Sequence, residues 1–265
     1  MPRRLDAELV HRGLARSREA AKELIEAGQV VVAGLLQPKP ASQVRGDADI
    51  RVTAVDDGYV SRGAYKLLGA LERWMPQGLV VAGRRALDAG ASTGGFTQVL
   101  LQQDVADVLA VDVGYGVLAW EVRTDPRVHV FERMNIRQAT PADFPFTPDL
   151  VVADLSFISL RTVLPSLVAI AGSQADFVLM VKPQFEVGRE AVGSGVVRDP
   201  ALRAQAVLDV ATAMQALGLG VRDVVASPLP GPSGNVEYFV WATRGVELRA
   251  DLAACIDAAV MEGPA

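Results

Sequence analysis

The sequence predicts a doubly wound α/β domain with a small α+β module in front of it. The chain has 265 residues, of which 50% are hydrophobic, so it can bury the cores of one large and one small domain. From about residue 84, apolar runs of strand length alternate with helix-length segments, which is typical of a sheet covered on both faces. We therefore expect a module at residues 1–55, a linker at 56–60 and the large domain at 61–265.

The small module begins with two short helices, which the spacing of its apolar residues predicts at 6–12 and 17–27. Ser17 is a suitable N-cap for the second helix, and Gly28 lies where a helix commonly ends. Short strands are then expected at residues 29–33 and 50–55. Such small elements bury little surface by themselves.

The large domain begins with an amphipathic helix at residues 61–75. Continuously apolar runs predict the buried strands of a parallel sheet with crossover connections. The predicted strands are 84–88, 108–112, 128–131, 150–154, 177–181, 221–226 and 236–241, and helices are expected at 94–103, 160–171 and 201–217.

Charge and composition limit the classes of function. Residues 1–45 carry eight Lys and Arg against five Asp and Glu, although the net charge of the chain is −5. A basic N-terminal segment followed by an acidic remainder suits a local contact with an anionic partner. Surface charge that is merely scattered is the alternative explanation. The single cysteine, Cys255, excludes an internal disulfide and fits a reducing cytosol. We expect a cytoplasmic protein, because the sequence shows neither a signal-like apolar run nor a membrane-spanning one.

The most informative segment is glycine-rich and follows the first predicted strand of the sheet. It reads LDAGASTGGFT over residues 87–97 and opens a helix, so backbone N–H groups and a helix N-terminus face a ligand there. Asp112 ends the next strand, at the spacing from Asp88 where an acidic residue binds ribose hydroxyls. A structural turn is the alternative. The agreement of strand, turn, helix and acidic strand end favours a nucleoside site.

The same segment indicates which nucleoside. Ser92 stands where a dinucleotide site needs the glycine that lets a pyrophosphate approach the backbone, which argues against an NAD-dependent enzyme. No phosphate-binding P-loop pattern occurs in the sequence. A ligand with ribose and adenine but no phosphate fits better, and S-adenosylmethionine is the obvious candidate, with Asp112 at its ribose. The two histidines show no metal-ligand spacing, so no metal site is expected.

Four charged residues are candidates for the chemistry. Asp154 and Lys182 each end a predicted strand at the carboxyl edge of the sheet, where ligands of open α/β sheets bind. Glu237 interrupts an apolar strand, and Lys66 lies on the helix before the sheet. A pyrimidine C5 methyltransferase would need a cysteine nucleophile, and Cys255 is far from every strand end. Two amines and two acids suit the alignment and deprotonation of a hydroxyl.

Taken together, these motifs resemble a known family. The segments are RLDAELVHRGLARSREAAKELIEAGQVVVAG, SRGAYKL, LDAGASTGGFT, DVGYGVLAW, DLSFISL, VKPQFEVG and SPLPGPSGNVEYFVW. The chain resembles the TlyA family of ribosomal RNA 2′-O-methyltransferases, which join an S4 RNA-binding domain to an FtsJ-like domain. The resemblance implies a Rossmann-like class I S-adenosylmethionine-dependent fold and the methylation of cytidine riboses in 16S or 23S ribosomal RNA.

The resemblance also implies roles for individual residues. The catalytic tetrad falls on Lys66, Asp154, Lys182 and Glu237. Within it we expect Lys182 to be the general base, since a hydroxyl must lose its proton to react. The expected cofactor residues are Asp88, Gly90, Ala91, Ser92, Thr93, Gly94, Gly95, Phe96, Asp112, Asn135 and Asp154, and the expected RNA contacts are Arg3, Arg4, Arg16, Arg18 and Lys22.

Two other classes of function remain open. A non-catalytic RNA-binding or ribosome-assembly factor would keep the same fold without the chemistry. A membrane-active, haemolysin-like protein is the other alternative, and the lack of a spanning segment argues against it. The expected partner is ribosomal RNA or a ribosomal subunit, without membrane contact, and a monomer is favoured.

Overall fold

The chain is described from a computed structural model, in residues 2–15, 17–26, 29–33, 35–36, 39–52, 58–188, 195–231, 233–246 and 249–263. It divides into two compact units, Met1–Tyr59 and Val60–Ala265. Several predicted positions lie outside the described ranges: Arg16, residue 27 of the second helix, Gly28, residues 53–55 of the second strand and residues 56–57 of the linker.

The described residues of the first unit form two helices and short antiparallel strands. Its elements are β1 (Arg3–Arg4), α1 (Leu5–His11), α2 (Arg18–Glu26), β2 (Val30–Val32), β3 (Leu35–Leu36), β4 (Gln43–Val44) and β5 (Ile50–Val52). The strands pair as β3-β2-β5 and β1-β4. The N–H of Ala20 donates to Ser17 Oγ at 3.1 Å, which confirms the predicted N-cap of α2. Leu5 and Leu9 of α1 are fully buried against Ile25 of α2.

The second unit is a seven-stranded sheet with helices packed on it. Its strands are β6 (Arg85–Ala89), β7 (Asp107–Val111), β8 (Val128–Phe131), β9 (Leu150–Ala153), β10 (Asp176–Val181), β11 (Leu219–Ala226) and β12 (Tyr238–Arg244). Its helices are α3 (Gly63–Trp74), α4 (Gly95–Gln102), α5 (Trp120–Arg123), α6 (Leu160–Ile170), α7 (Pro183–Glu186), α8 (Pro200–Ala216) and α9 (Leu252–Glu262), and short 3₁₀ turns occur at Met75–Gln77 and Pro141–Asp143. The predicted α/β class is confirmed, with element ends that differ by a few residues.

The strand order of this sheet is β11-β12-β10-β9-β6-β7-β8. Strands β6 to β10 pair in parallel, as predicted. Strand β12 departs from the parallel arrangement, because it runs antiparallel to both β10 and β11. Only eleven residues separate Ala226 of β11 from Tyr238 of β12, and a parallel partner would need a longer crossover. The sequence analysis placed Glu237 inside this strand. In the structure β12 begins at Tyr238, so Glu237 lies directly before it.

The centre of the sheet defines where a ligand can bind. Strands β6 and β9 are neighbours although β7 and β8 lie between them in sequence, so the strand order reverses at this point. Ligands of open α/β sheets bind at such a reversal, beyond the carboxyl ends of the strands. Below that edge the strands are fully buried, as at Leu87, Val151 and Leu179. In the described ranges, no helix has the length and apolar character required to cross a membrane.

Candidate active site at the carboxyl edge of the sheet

The strand register brings the predicted catalytic residues to one edge of the second unit. Ala89 of β6 and Leu179 of β10 both pair with Ala153 of β9, so the chain leaves these strands close together. Val181 pairs with Tyr238 at the beginning of β12. Because β12 is antiparallel, its first residues meet the last residues of β10. This reversal places Glu237 at the same edge as Asp154 and Lys182.

Lys182, which is buried, and Asp154, which is partly exposed, form the first ion pair of the site. Lys182 is 8% exposed, and its Nζ lies 2.5 Å from Asp154 Oδ1. The same Nζ donates a hydrogen bond of 2.8 Å to Ser156 Oγ. The sequence analysis did not identify Ser156, although it follows Asp154 by two positions within the DLSF segment. The loop after β9 thus holds the amine through the charge of Asp154 and through a hydrogen bond to Ser156.

Lys66 and Glu237 form the second ion pair of the site, and both residues are buried. Lys66 on α3 is 6% exposed and Glu237 is 1% exposed, with 2.6 Å between Nζ and Oε2. Gln184 Nε2 donates to the other oxygen of Glu237 at 3.4 Å. A side chain at Gly231 would place its Cβ 2.6 Å from that oxygen, so this position needs glycine. Gln184 was also missed from sequence, and its link to Glu237 ties the second pair to the turn that follows Lys182.

A cavity of about 370 Å³ opens beside the first ion pair. Its volume lies within the range of small-molecule sites. One end holds Asp112, whose two carboxylate oxygens accept the N–H groups of Ser92 at 2.8 Å and Gly114 at 2.7 Å. The lining residues are Gly90, Ser92, Val111, Asp112, Val113, Met134, Asn135, Ile136, Asp154, Leu155, Ser156, Phe157, Ile158 and Val163. An acid, a glycine turn and an apolar wall are the groups that a nucleoside requires.

The predicted cofactor residues divide into two sets. Five of them line the cavity: Gly90, Ser92, Asp112, Asn135 and Asp154. The other six do not line it: Asp88, Ala91, Thr93, Gly94, Gly95 and Phe96. Ala91 lines a separate small pocket of about 10 Å³, and the Phe96 ring stacks on Phe239 with 5.9 Å between centroids. The second set therefore shapes the loop and the start of α4.

Gly90 shows why the loop after β6 needs glycine. Its φ is +88°, a left-handed conformation that a side chain would strain. An added Cβ would lie 2.6 Å from the carbonyl oxygen of Asp154. Glycine here lets the loops after β6 and β9 approach each other, which sets the position of Asp154 at the cavity.

Asp88 lies beneath this loop and is fully buried. Thr97 Oγ1 donates to its Oδ2 at 2.6 Å, whereas Oδ1 has no hydrogen-bond partner among the residues that the structure describes. Burial raises the pKa of Asp88 to about 7, with a further contribution from the negative charge of Asp154, while the hydrogen bond from Thr97 opposes the shift. This carboxyl is a buried titratable group that supports the floor of the site.

Phe157 is an aromatic residue that the sequence analysis did not single out. It lines the cavity, yet its side chain is 92% exposed and its ring centroid is 5.4 Å from that of Phe185. Its φ of +64° is unusual for a bulky residue, and such strain is concentrated at functional sites. The ring is thus held in solvent at the mouth of the cavity.

The predicted RNA contacts lie in the first unit, and most of them are ion-paired. Arg4 and Arg18 both reach Asp6, at 2.9 and 3.0 Å, and Arg3 reaches Glu8 at 3.0 Å. Lys22 is exposed. Arg16 lies outside the described residues. The sequence analysis named the basic residues without the acidic partners that hold them.

Comparison with known proteins agrees with this arrangement. The sequence model of the FtsJ-like methyltransferases matches residues 59–244, and that of the S4 domain matches residues 3–50. The 16S/23S rRNA (cytidine-2′-O)-methyltransferase TlyA of Mycobacterium tuberculosis is 56% identical over 266 positions, which cover 98% of each chain. The 23S rRNA (cytidine-2′-O)-methyltransferase TlyA of Campylobacter jejuni is 32% identical over 251 positions, covering 88% of this chain and 96% of its own.

A solved structure supports the same relationship over both units. A Streptococcus thermophilus protein that carries a hemolysin name is 35% identical, with a TM-score of 0.79 over 98% of this chain and 95% of its own. The family matches together span most of the chain, and the TlyA relatives cover nearly all of it. The chain therefore belongs to the TlyA family of FtsJ-like methyltransferases, in which an S4 domain precedes the methyltransferase domain.

Proposed function

We propose that this protein methylates the 2′-hydroxyl of a cytidine ribose in ribosomal RNA, with S-adenosylmethionine as the methyl donor. One observation carries the proposal: two Lys–carboxylate ion pairs, each with a buried lysine, lie at the edge of the sheet that also bears a nucleoside-sized cavity. The two named TlyA relatives are cytidine-2′-O-methyltransferases of ribosomal RNA, and their resemblance to this chain supports the same substrate class.

The cavity suits S-adenosylmethionine better than a nucleotide. No Lys or Arg occurs among its lining residues in the described ranges, and the ammonium of Lys182 beside it is already paired with Asp154, so the cavity offers no unpaired cation for a phosphate. Asp112 is the group for the ribose hydroxyls, and Ile136 and Val163 belong to the apolar wall for the adenine. When bound, S-adenosylmethionine supplies a methyl group that the adjacent sulfonium makes electrophilic. The protein must then align the hydroxyl and remove its proton.

We assign proton removal to Lys182. A ribose hydroxyl is a poor nucleophile at neutral pH, so a base at hydrogen-bond distance accelerates the reaction. Lys182 must first give up a proton, because only the neutral amine has a lone pair that can accept the proton of the hydroxyl. Asp154 and Ser156 hold the amine in position for this step. Burial at 8% exposure keeps bulk water from competing for the same position.

Lys66 is assigned to hold the ribose, and Glu237 to hold Lys66. A buried ammonium needs a partner, and Glu237 supplies it at 2.6 Å. Lys66 keeps further donors for a substrate oxygen, since an ammonium has three. All four charged residues come from one chain, which is consistent with a monomer as the acting unit. A ribosomal RNA substrate would place the reaction in the cytoplasm.

The S4 unit is proposed to bind the RNA backbone. Arg3, Arg4, Arg18 and Lys22 are exposed there and can contact phosphates, which positions the enzyme without reading sequence. Affinity for RNA should therefore fall as salt rises.

Methyl transfer from labelled S-adenosylmethionine to purified ribosomal subunits tests the proposal. The subunits come from cells that lack the gene, so that the target is unmodified. Lys182→Ala should lower the rate by roughly 10²- to 10⁴-fold with unchanged cofactor affinity. Lys39→Ala, which removes an exposed lysine of the first unit, is the matched control and should keep the rate at saturating substrate. A Lys182→Ala rate within a few-fold of the parent would contradict the assignment of the base.

A further inference from the structure

Two buried carboxylates stand among the arginines of the first unit. Asp6 and Glu8 lie on α1 and are only 5% and 3% exposed. Acidic residues are seldom buried without a partner, and both of these have arginine partners. Their presence in the unit proposed to bind RNA is unexpected, because each removes positive charge from it.

Asp6 holds two arginines at once. Arg4 donates to it through Nε at 3.1 Å and Nη2 at 2.9 Å, and Arg18 donates through Nη2 at 3.0 Å. The two-point contact of Arg4 fixes the plane of its guanidinium as well as its position. The side chains of Arg4 and Arg18 are nevertheless 46% and 61% exposed. Both groups are therefore anchored on one side and open to solvent on the other.

Glu8 makes a similar connection two residues further along α1. Arg3 Nη1 and Arg12 Nε donate to it at 3.0 and 2.8 Å. Arg12 also donates to the carbonyl oxygens of Ala48 at 2.7 Å and Gly46 at 3.0 Å, so it is tied to the backbone of the unit. The side chain of Arg3 is 45% exposed, so its guanidinium is bound to Glu8 on one side and is open to solvent on the other.

The network stays charged and keeps a positive excess at neutral pH. The hydrogen bond from Arg4 holds the pKa of Asp6 well below its usual range, and the hydrogen bond from Arg12 lowers the pKa of Glu8. Four guanidinium groups face two carboxylates within these contacts. Each guanidinium has five N–H donors, so a contact with one carboxylate leaves capacity for a phosphate.

We propose that Asp6 and Glu8 are positioning residues, which hold Arg3, Arg4 and Arg18 in a fixed array for the phosphates of the RNA. This inference rests on the proposed function of the first unit as the RNA-binding part of the enzyme. Arginine side chains lose rotamer freedom when they bind, and a side chain that is already ordered loses less. The buried acids provide that order before RNA arrives.

Simple charge counting predicts the opposite result, so the proposal can fail. Removal of a carboxylate raises the net charge and should tighten RNA binding if order is unimportant. The exposed pair of Arg45 and Asp47 provides the matched control, since their side chains are 82% and 74% exposed at a distance of 3.3 Å. Asp47→Asn deletes the same charge from the same unit without releasing a buried contact.

The experiment measures binding of the full-length protein to a fluorescein-labelled ribosomal RNA transcript at several KCl concentrations. Asp6→Asn should bind roughly three- to tenfold more weakly than the parent. The slope of the logarithm of the binding constant against the logarithm of the KCl concentration should be shallower by the amount of about one phosphate contact. Asp47→Asn should bind equally or more tightly. In a protein that already carries Arg4→Ala and Arg18→Ala, Asp6→Asn should cause no further weakening, because the side chains it would release are absent.

The outcomes separate the inference from the proposed function. If Arg4→Ala with Arg18→Ala binds RNA like the parent, the assignment of the RNA face fails. If that variant binds weakly while Asp6→Asn binds as tightly as Asp47→Asn, only the positioning role fails. Circular dichroism melts test whether the first unit of Asp6→Asn is folded. If that variant is unfolded, Glu8→Gln, which releases Arg3, takes its place. Glu8→Gln must then bind RNA more weakly than Asp47→Asn.

Discussion

Replacing Asp88 with Asn should remove much of the pH dependence of the second unit's stability between about pH 5 and pH 7. Asp88 is fully buried, and burial raises its pKa from 3.8 to about 7. The unfolded chain loses this proton near pH 4 and the folded chain near pH 7. Between these values the folded state binds more protons, so the free energy of unfolding falls as the pH rises.

The size of the effect follows from the shift of the pKa. A difference of about three pKa units corresponds to about 4 kcal/mol over the whole interval, at about 1.4 kcal/mol per unit. Between pH 5 and pH 7 the wild type should lose roughly 2 kcal/mol through this group. Asn cannot ionise and lacks this loss. Its amide nitrogen would lie where Oδ1 now has no partner among the described residues, so the variant should be about 1–3 kcal/mol less stable at pH 5.

Urea unfolding followed by tryptophan fluorescence is a suitable assay. The three tryptophans, Trp74, Trp120 and Trp241, all lie in the second unit, so their emission reports on that unit alone. The wild-type and Asp88→Asn curves of unfolding free energy against pH should converge as the pH rises. Parallel curves between pH 5 and pH 7 would refute the assignment of a protonated Asp88 in the folded state.

Three further predictions concern the site. Glu237→Gln leaves the Lys66 ammonium buried without its ionic partner and should destabilise the second unit by about 3–5 kcal/mol in urea unfolding; a loss below about 1 kcal/mol would contradict the ion pair. Glu186 accepts a hydrogen bond of 2.6 Å from the Ser159 hydroxyl and so helps to fix the loop that follows β9. Glu186→Gln should lower the turnover rate and leave the cofactor affinity measured by calorimetry unchanged. An unchanged rate would exclude this role. Phe157→Ala should change stability by less than about 0.5 kcal/mol, because the ring is 92% exposed, yet raise the KM for ribosomal subunits roughly 5- to 150-fold if the ring stacks on a base; an unchanged KM would rule out the stacking.

The sequence was sufficient to predict the fold class and the edge of the sheet that carries the site. Apolar runs identify buried strands because such strands are covered on both faces, and a charged residue directly after a run marks the strand end. Asp154 and Lys182 were found in this way, and the structure places them in contact. The left-handed φ of Gly90 shows a tight turn within the glycine segment, and the nucleoside site expected there stays a prediction.

The sequence pattern could not predict contacts between residues that are far apart in the chain. Lys66 and Glu237 are separated by 171 positions, and only the antiparallel direction of β12 brings them together. Periodicity reports which residues are buried but not the direction of a strand. Asp88 illustrates a second limit. The sequence pattern of an acidic residue at a strand end is the same whether the side chain lines a ligand cavity or lies beneath the loop and supports it.

The arginines of the first unit show a third limit. The family resemblance named Arg4 and Arg18 as RNA contacts, and the charge count treated Asp6 only as a reduction of the positive charge of residues 1–45. The structure shows that one carboxylate holds both guanidinium groups. Pairing of this kind depends on side-chain direction around α1 and α2, which composition does not contain.

Nucleoside mass spectrometry of ribosomal RNA tests the central claim most directly. Cells that lack the gene are compared with the same cells that produce either the wild-type protein or Lys182→Ala. The account predicts 2′-O-methylcytidine with the wild-type protein and its loss in the other two strains. Equal amounts of 2′-O-methylcytidine in all three strains, or a methyl group found on a base and not on the ribose, would contradict it.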